Sequence, residues 1–203
     1  MKIFGIDPGS DRTGYGCVES DGSRHRIIVS GAISGGGASF PEKLLKIHAG
    51  LAVLLAECRP DCVAIENLFH SNNARSALKL GHARGVAMLA AVEAGLPIAE
   101  YTPAEIKRAV VGYGRAEKHQ VQQMVKLLLG LPELPTPHDA ADALAIAICH
   151  SHAMKPFGSA QGRPLDSAPL GDARGKQGKP ARADAMPRSS TAKSWRQYRP
   201  ART

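Results

Sequence analysis

Lys2-Ile3-Phe4-Gly5-Ile6-Asp7-Pro8-Gly9-Ser10-Asp11-Arg12-Thr13-Gly14-Tyr15-Gly16 is the stretch whose reading decides the fold. A run that is apolar apart from Gly5 leads straight into an acid and a turn, the pattern of a buried strand delivering Asp7 to the edge of a sheet. Pro8 donates nothing to a strand ladder and Gly9 tolerates positive φ, so the backbone turns just after the carboxylate and holds it. Taken alone, Asp7 also suits ordinary turn chemistry, because Asp before Pro-Gly is a common turn opening. Three further acids, each ending an apolar run or sharing a helical face, shift the reading toward a metal site.

Working outward, Thr13 to Val18 and Arg26 to Ile33 are strand-like runs around the turn cluster Ser20-Asp21-Gly22-Ser23, which with the first strand predicts a three-stranded antiparallel meander. Ser39-Phe40-Pro41-Glu42 is a capping box opening a helix to about Cys58, with Leu44, Ile47, Leu51, Leu54 and Leu55 on its apolar face. Arg59-Pro60-Asp61 breaks that helix, and Cys62 to Ile65 is a second buried strand ending at Glu66. Strand, crossover helix and strand make the two runs parallel neighbours, so Asp7 and Glu66 emerge together at carboxyl ends, where open α/β sheets place ligands. A strand-end surface acid is the alternative for Glu66 alone.

Asn67 to Asn72 is a loop carrying Phe69, read as either a core plug or a stacking group for a base, and a long helix spans Asn73 to Ala94. Gly81 and Gly85 inside it cost roughly 1 kcal/mol each relative to Ala, so a helix, a second subunit or another backbone is expected to approach there. A final short strand is predicted over Leu96 to Ala99. Thr102-Pro103-Ala104-Glu105 caps a short helix carrying Lys107 and Arg108, Gly112 to Arg115 is a loop, and a helix from Ala116 to Gly130 buries Val121, Met124, Val125 and Leu128. Lys107, Arg115 and Lys118 fall near helix starts, where phosphate is favoured, although a solvated face explains each singly. A Pro-rich connector leads to the helix His138 to Ile148. Asp139 and Asp142 share one face of this otherwise apolar element. Asp139 also suits the positive end of the helix dipole, and His138 reads as a ligand, a proton carrier or a surface residue.

Four carboxylates in one cleft repel unless divalent cations neutralise them. Mg2+ suits such a set, because it takes a few carboxylates, keeps waters and shares positions with phosphate oxygens. Two ions would support an in-line phosphodiester displacement, with Lys107 and Lys118 holding phosphate or developing charge.

Composition bounds the rest. The chain has 203 residues, is 43% hydrophobic and has no run long enough for a membrane helix or a secretory leader, so a soluble, cytoplasmic protein is expected. Cys17, Cys58, Cys62 and Cys149 show no paired C-x-x-C spacing and read as reduced thiols, a zinc set with His150 being poorly spaced. The formal charge of +8 belongs entirely to residues 155–203, which hold eleven Lys or Arg against three acids, whereas residues 1–154 hold fifteen of each sign. Two segments are therefore expected: a folded domain over 1–154 and a basic tail over 155–203. The tail is too poor in apolar period to order itself, and suits sequence-independent contact with phosphates.

The stretches Phe4 to Gly9 (FGIDPG), Ala64 to Phe69 (AIENLF), Asn73 to Gly85 (NARSALKLGHARG), Val110 to Lys118 (VVGYGRAEK) and Asp139 to Ala147 (DAADALAIA), in this order, resemble the RuvC Holliday junction resolvases over residues 1 to about 152. The resemblance implies an α/β, RNase H-like fold: a mixed five-stranded sheet, the antiparallel meander plus parallel strands, flanked by helices. It further implies a homodimer that nicks four-way DNA junctions in pairs with Mg2+, or Mn2+ in its place. The products would carry 5′-phosphates, short T-rich sites would be preferred, and the RuvA and RuvB branch-migration proteins would be partners. It assigns metal binding to Asp7, Glu66, Asp139 and Asp142, and catalytic support to Lys107 and Lys118. DNA contact falls to Phe69, Arg75, Lys79, Lys107, Arg115 and Lys118, and dimerisation to the helix that starts near Asn73. Family members do not all carry Asp at the position of Asp139, and they usually end before a tail of this kind. The competing classes are an RNase H-fold nuclease acting on RNA ends, a non-catalytic DNA-binding relative, and an actin-like ATPase, for which residues 153 onward supply no second sheet domain.

Overall fold

Alternation along the first strand sends Ile3 and Gly5 to one face of a sheet and Phe4 and Ile6 to the other, and this parity divides the protein into layers. In the computed structural model, which describes residues 1–67 and 73–154, strands β1 (Lys2–Asp7), β2 (Arg12–Ser20), β3 (His25–Ser34), β4 (Cys62–Glu66) and β5 (Ile98–Tyr101) form one mixed sheet in the order β3-β2-β1-β4-β5. β1, β2 and β3 pair antiparallel, while β1·β4 and β4·β5 are parallel. The meander and the parallel pair expected from the sequence are both present.

Phe4, Ile6, Cys17, Val63 and Ile65 pack on α1 (Phe40–Cys58) and α2 (Ala74–Glu93). Ile3, Val18, Cys62 and Ala64 pack on the opposite layer, which contains α3 (Pro103–Val111), α4 (Lys118–Leu128) and α5 (His138–Ala153). The capping boxes form as read: Glu42 returns to the Ser39 amide at 2.8 Å and Glu105 to the Thr102 amide at 2.8 Å. Gln120 closes a third box on the Glu117 amide at 2.9 Å, which starts α4 at Lys118 rather than Ala116.

Two further bounds need correction. The last strand is Ile98–Tyr101, not Leu96 to Ala99, because Gly95 turns the chain at φ 70° and pairing begins where Val63 donates to the Pro97 carbonyl at 2.9 Å. α5 continues beyond Ile148 to Ala153, since its apolar face stays buried over the sheet. A Cβ built on Gly81 or Gly85 meets nothing within 4 Å, so among the described residues no helix or backbone of this chain makes the expected close approach, and the second subunit is the alternative left. All four cysteines are buried free thiols. Among the described residues no helix is long and apolar enough to cross a membrane.

Candidate active site

Strand parity and register together place the first two acids. β1 and β4 run in parallel with Ile6 beside Ile65, so the next residues, Asp7 and Glu66, end neighbouring strands side by side. Both share the parity of Ile3 and Cys62 and therefore face the α5 layer. Their side chains hydrogen-bond to each other.

α5 reaches them because the sheet beneath it is stripped of side chains. Gly5 lies opposite Gly16, and Gly14 lies opposite Asp7. A Cβ on Gly5 would stand 2.1 Å from the Ala143 carbonyl oxygen, one on Gly14 would stand 2.1 Å from that of Asp139, and one on Gly16 would stand 2.8 Å from Leu144. This close seat lowers the first turns of α5 onto the strand ends. Asp142 enters the pocket and receives Lys118 Nζ at 2.7 Å. Asp7, Glu66, Asp142, Lys107 and Lys118 line one cavity of about 340 Å³, walled by Ile106 and Val121.

Asp139, one turn earlier, does not line that cavity; it stands at the rim with Arg12 Nη1 3.4 Å from its carboxylate. The separation reflects geometry: residues three apart on a helix differ by about 60° in direction, enough for two acids to meet different partners. Sequence reading missed Arg12, whose signal is only its place at the start of the strand opposite Asp7.

Charge is crowded here. Burial, then the Glu66 and Asp142 charges, push the Asp7 carboxyl up to about 8. Burial also raises Glu66 above the usual carboxylate range, although its bond with Asp7 pulls the other way. Burial and mutual repulsion thus hold both carboxyls toward their protonated forms. The hydrogen bond to Asp142 raises Lys118 above its ordinary value.

The other sequence candidates lie elsewhere. Lys79 Nζ sits 5.7 Å over the Phe40 ring, and Arg75 is exposed in the first turn of α2 behind its Asn73 cap. Arg115 is exposed in the loop before α4. His138 is exposed and meets the buried Gln122, with Gln122 Nε2 3.0 Å from its Nδ1. Phe69 and residues 155–203 lie outside the described residues.

The pocket's donors are hard oxygens alone, the chemistry of a divalent cation such as Mg2+ or Mn2+ rather than of a thiolate-loving metal. Among the described residues no three His, Cys, Asp or Glu side chains already stand in cation-holding geometry. Asp142 is drawn to Lys118 and Asp139 to Arg12. A cation entering the site therefore exchanges with internal ion pairs, and the donor set fits it.

An RNase H-like sheet that gathers carboxylates and lysines at the ends of its central parallel strands defines a nuclease of the metal-assisted class. The sequence profile described as Crossover junction endodeoxyribonuclease RuvC matches residues 3–150. The crossover junction endodeoxyribonuclease RuvC of Citrifermentans bemidjiense is 56% identical over 153 residues, covering 75% of this chain and 93% of that protein. That of Trichlorobacter lovleyi is 49% identical over 201 residues, covering 98% of this chain and 100% of its own, so a chain reaching through residues 155–203 is not peculiar to this sequence. The structure titled T. thermophilus RuvC in complex with Holliday junction substrate superimposes with a TM-score of 0.69 at 35% identity, covering 75% of this chain and 94% of that one. The chain belongs to the RuvC family of crossover junction endodeoxyribonucleases, and such membership implies use of a divalent metal.

Proposed function

We propose that this chain resolves four-way DNA junctions in recombination and repair by paired, symmetric nicks that leave 5′-phosphates, with Mg2+ as its physiological cation and Mn2+ as a substitute. The observation that carries the reading is the cavity lined by Asp7, Glu66, Asp142, Lys107 and Lys118. Pure DNA binding has no use for acids in the cleft, because they repel the phosphate backbone. Cutting needs them.

Asp7, Glu66 and Asp142, joined by Asp139 from the rim, are the cation-holding residues. Bound cations would activate a water and stabilise the leaving oxygen of the phosphodiester. The chain's own residues do the remainder. With cations held there, Asp7 and Glu66 would ionise, releasing protons to solvent, and Lys118, its Asp142 partner shared with the cation, would be free to hold the scissile phosphate. Lys107, which lines the same cavity, neutralises negative charge developing on the non-bridging oxygens. Arg75, Lys79, Arg115 and Phe69 are assigned to the DNA arms and the junction centre, and residues 155–203 to added, salt-sensitive contact with phosphates, the nuclease domain being 1–154.

We infer a homodimer formed through α2. Ala74, Ala77, Leu78, Gly81, Gly85 and Leu89 line one shallow groove, with Leu78 65% and Leu89 51% exposed. Two bare glycines on an apolar stripe suit close approach of a second copy. Two active sites in one particle are what paired nicking requires. RuvA and RuvB are the expected partners, and the cytoplasm the expected compartment.

The test is incubation of a labelled four-way junction, a plain duplex and an RNA–DNA hybrid with the chain and Mg2+. Symmetric nicks confined to the junction support the proposal; equal or preferred cutting of either other substrate rejects it.

A further inference from the structure

The far end of α5 carries a second polar cluster that the nuclease chemistry does not use. His152, in the last turn of α5, and His25, at the start of β3, face each other with their Nε2 atoms 3.1 Å apart and their ring planes tilted by 54°. His152 Nδ1 lies 3.0 Å from the Ala109 carbonyl oxygen of α3. A carbonyl only accepts, so His152 carries its proton on Nδ1 and presents a bare Nε2 lone pair. A backbone carbonyl that fixes tautomer and ring direction in this way is the usual support behind a metal-binding imidazole. His25 Nδ1 is buried and has no hydrogen-bond partner among the described residues. The ring-to-ring bond alone then sets the His25 tautomer, with Nε2–H donating to His152, and an arriving cation must replace that bond and shift the proton to the buried Nδ1, a cost that the metal–nitrogen bonds offset. Burial, with the His152 ring second, holds His25 below the ordinary imidazole range, so it is neutral at pH 7.

We propose that His25 and His152 form a two-imidazole site for a borderline transition-metal cation, Zn2+, Ni2+ or Cu2+, separate from the carboxylate pocket. With metal–nitrogen bonds of about 2.0–2.1 Å, two nitrogens on one ion stand roughly 2.9 Å apart at a right angle and about 3.3 Å apart at the tetrahedral angle. The observed 3.1 Å lies between these edges. Neutral imidazole prefers these ions over Mg2+, whereas the oxygen-only pocket has the opposite preference. His152 is ten residues along α5 from Asp142, about 15 Å at helical rise, so one ion cannot serve both places. Among the described residues no third protein donor completes a cage, so water takes the remaining positions. An ion there ties the start of β3 to the end of α5, whose other end bears Asp139 and Asp142.

The test adds one equivalent of copper sulphate to the purified full chain and reads electron paramagnetic resonance, with zinc chloride thermal-shift titration in parallel. Nitrogen hyperfine structure from two imidazoles is expected. His25→Ala and His152→Ala should each remove one nitrogen and weaken binding by more than about tenfold, while Asp7→Asn leaves the spectrum unchanged. Should His152→Ala lose its fold with the Ala109 bond, His25→Ala, at a partly exposed strand start, still gives the reading. Absence of a two-nitrogen signal, identical titrations of the wild type and His25→Ala, or loss of the signal in Asp7→Asn would each overturn the proposal.

Discussion

α5 and α2 are both Ala-rich helices on the sheet, yet they invert the usual rule of polar outside and apolar inside. α5 is buried from Ala140 through Ser151 except at Asp142, which it carries to an internal cavity. α2 buries only Ala83, Ala87, Ala90 and Ala91, and leaves Leu78, Leu89 and Val92 in solvent. An acid turned inward calls for positive charge, and an apolar stripe turned outward calls for a partner. The difference teaches where the two proposals rest: a cation for the inward acids of one face and a second copy for the exposed apolar stripe of the other.

Removing the inward acid is the strongest way to break the comparison. Asp7→Asn should lower junction cleavage at least about 10²-fold while junction binding persists, measured by gel assays of cutting and of retention. The same variant should raise the metal-free melting temperature by roughly 2–4 °C, since the amide relieves the repulsion by Glu66 and Asp142. Unchanged cleavage with Mg2+ would remove Asp7 from the chemistry. Next in size is the seat of α5. Gly5→Ala drives a Cβ into backbone atoms of Ala143 and Ala147, which cannot swing away. A loss of about 3 kcal/mol in denaturant unfolding is expected, and a neutral result would mean that α5 does not sit so closely.

On the other face, Leu89→Glu should dissociate the proposed dimer with a loss of about 2 kcal/mol or more of association free energy, read by sedimentation, while the protomer stays folded because Leu89 is 51% exposed. Unfolding, or an unaltered particle mass, would contradict the α2 interface. The pH dependence sharpens the contrast further. Asp7 sits at about 8 in the folded chain against 3.8 ordinarily, so between these values the native state keeps a proton that the unfolded state has lost. Its contribution to metal-free stability is complete below about pH 4 and drains away as pH rises through about 8. Mg2+ should flatten that decline in thermal melts. The smallest effect is expected at the rim: Arg12→Ala should change stability by less than about 0.5 kcal/mol, because the pair with Asp139 is long and half exposed.

Much of this was legible in the residues. The run into Asp7, the run into Glu66 and the acid spacing in Asp139 to Asp142 named the acids and their elements, because apolar periodicity is local information. Asp142 and Asp139 were read as one pair, yet they take different partners, Lys118 and Arg12, from segments far away in the chain. The edge of β5 was misplaced because a short apolar run has no period of its own, and pairing with β4 decides where it starts. Gly81 and Gly85 were noticed, but no contact among the described residues answers them.

The sequence by itself determined which side chains can carry this chemistry and which strands and helices bear them, since propensity, capping and alternation act over a few residues. Tertiary structure alone decided that Gly5, Gly14 and Gly16 stack into a bare face, that α5 settles on it, and that His25 meets His152. Those facts depend on strand register and layer packing, which join residues over a hundred positions apart and leave no mark on local pattern.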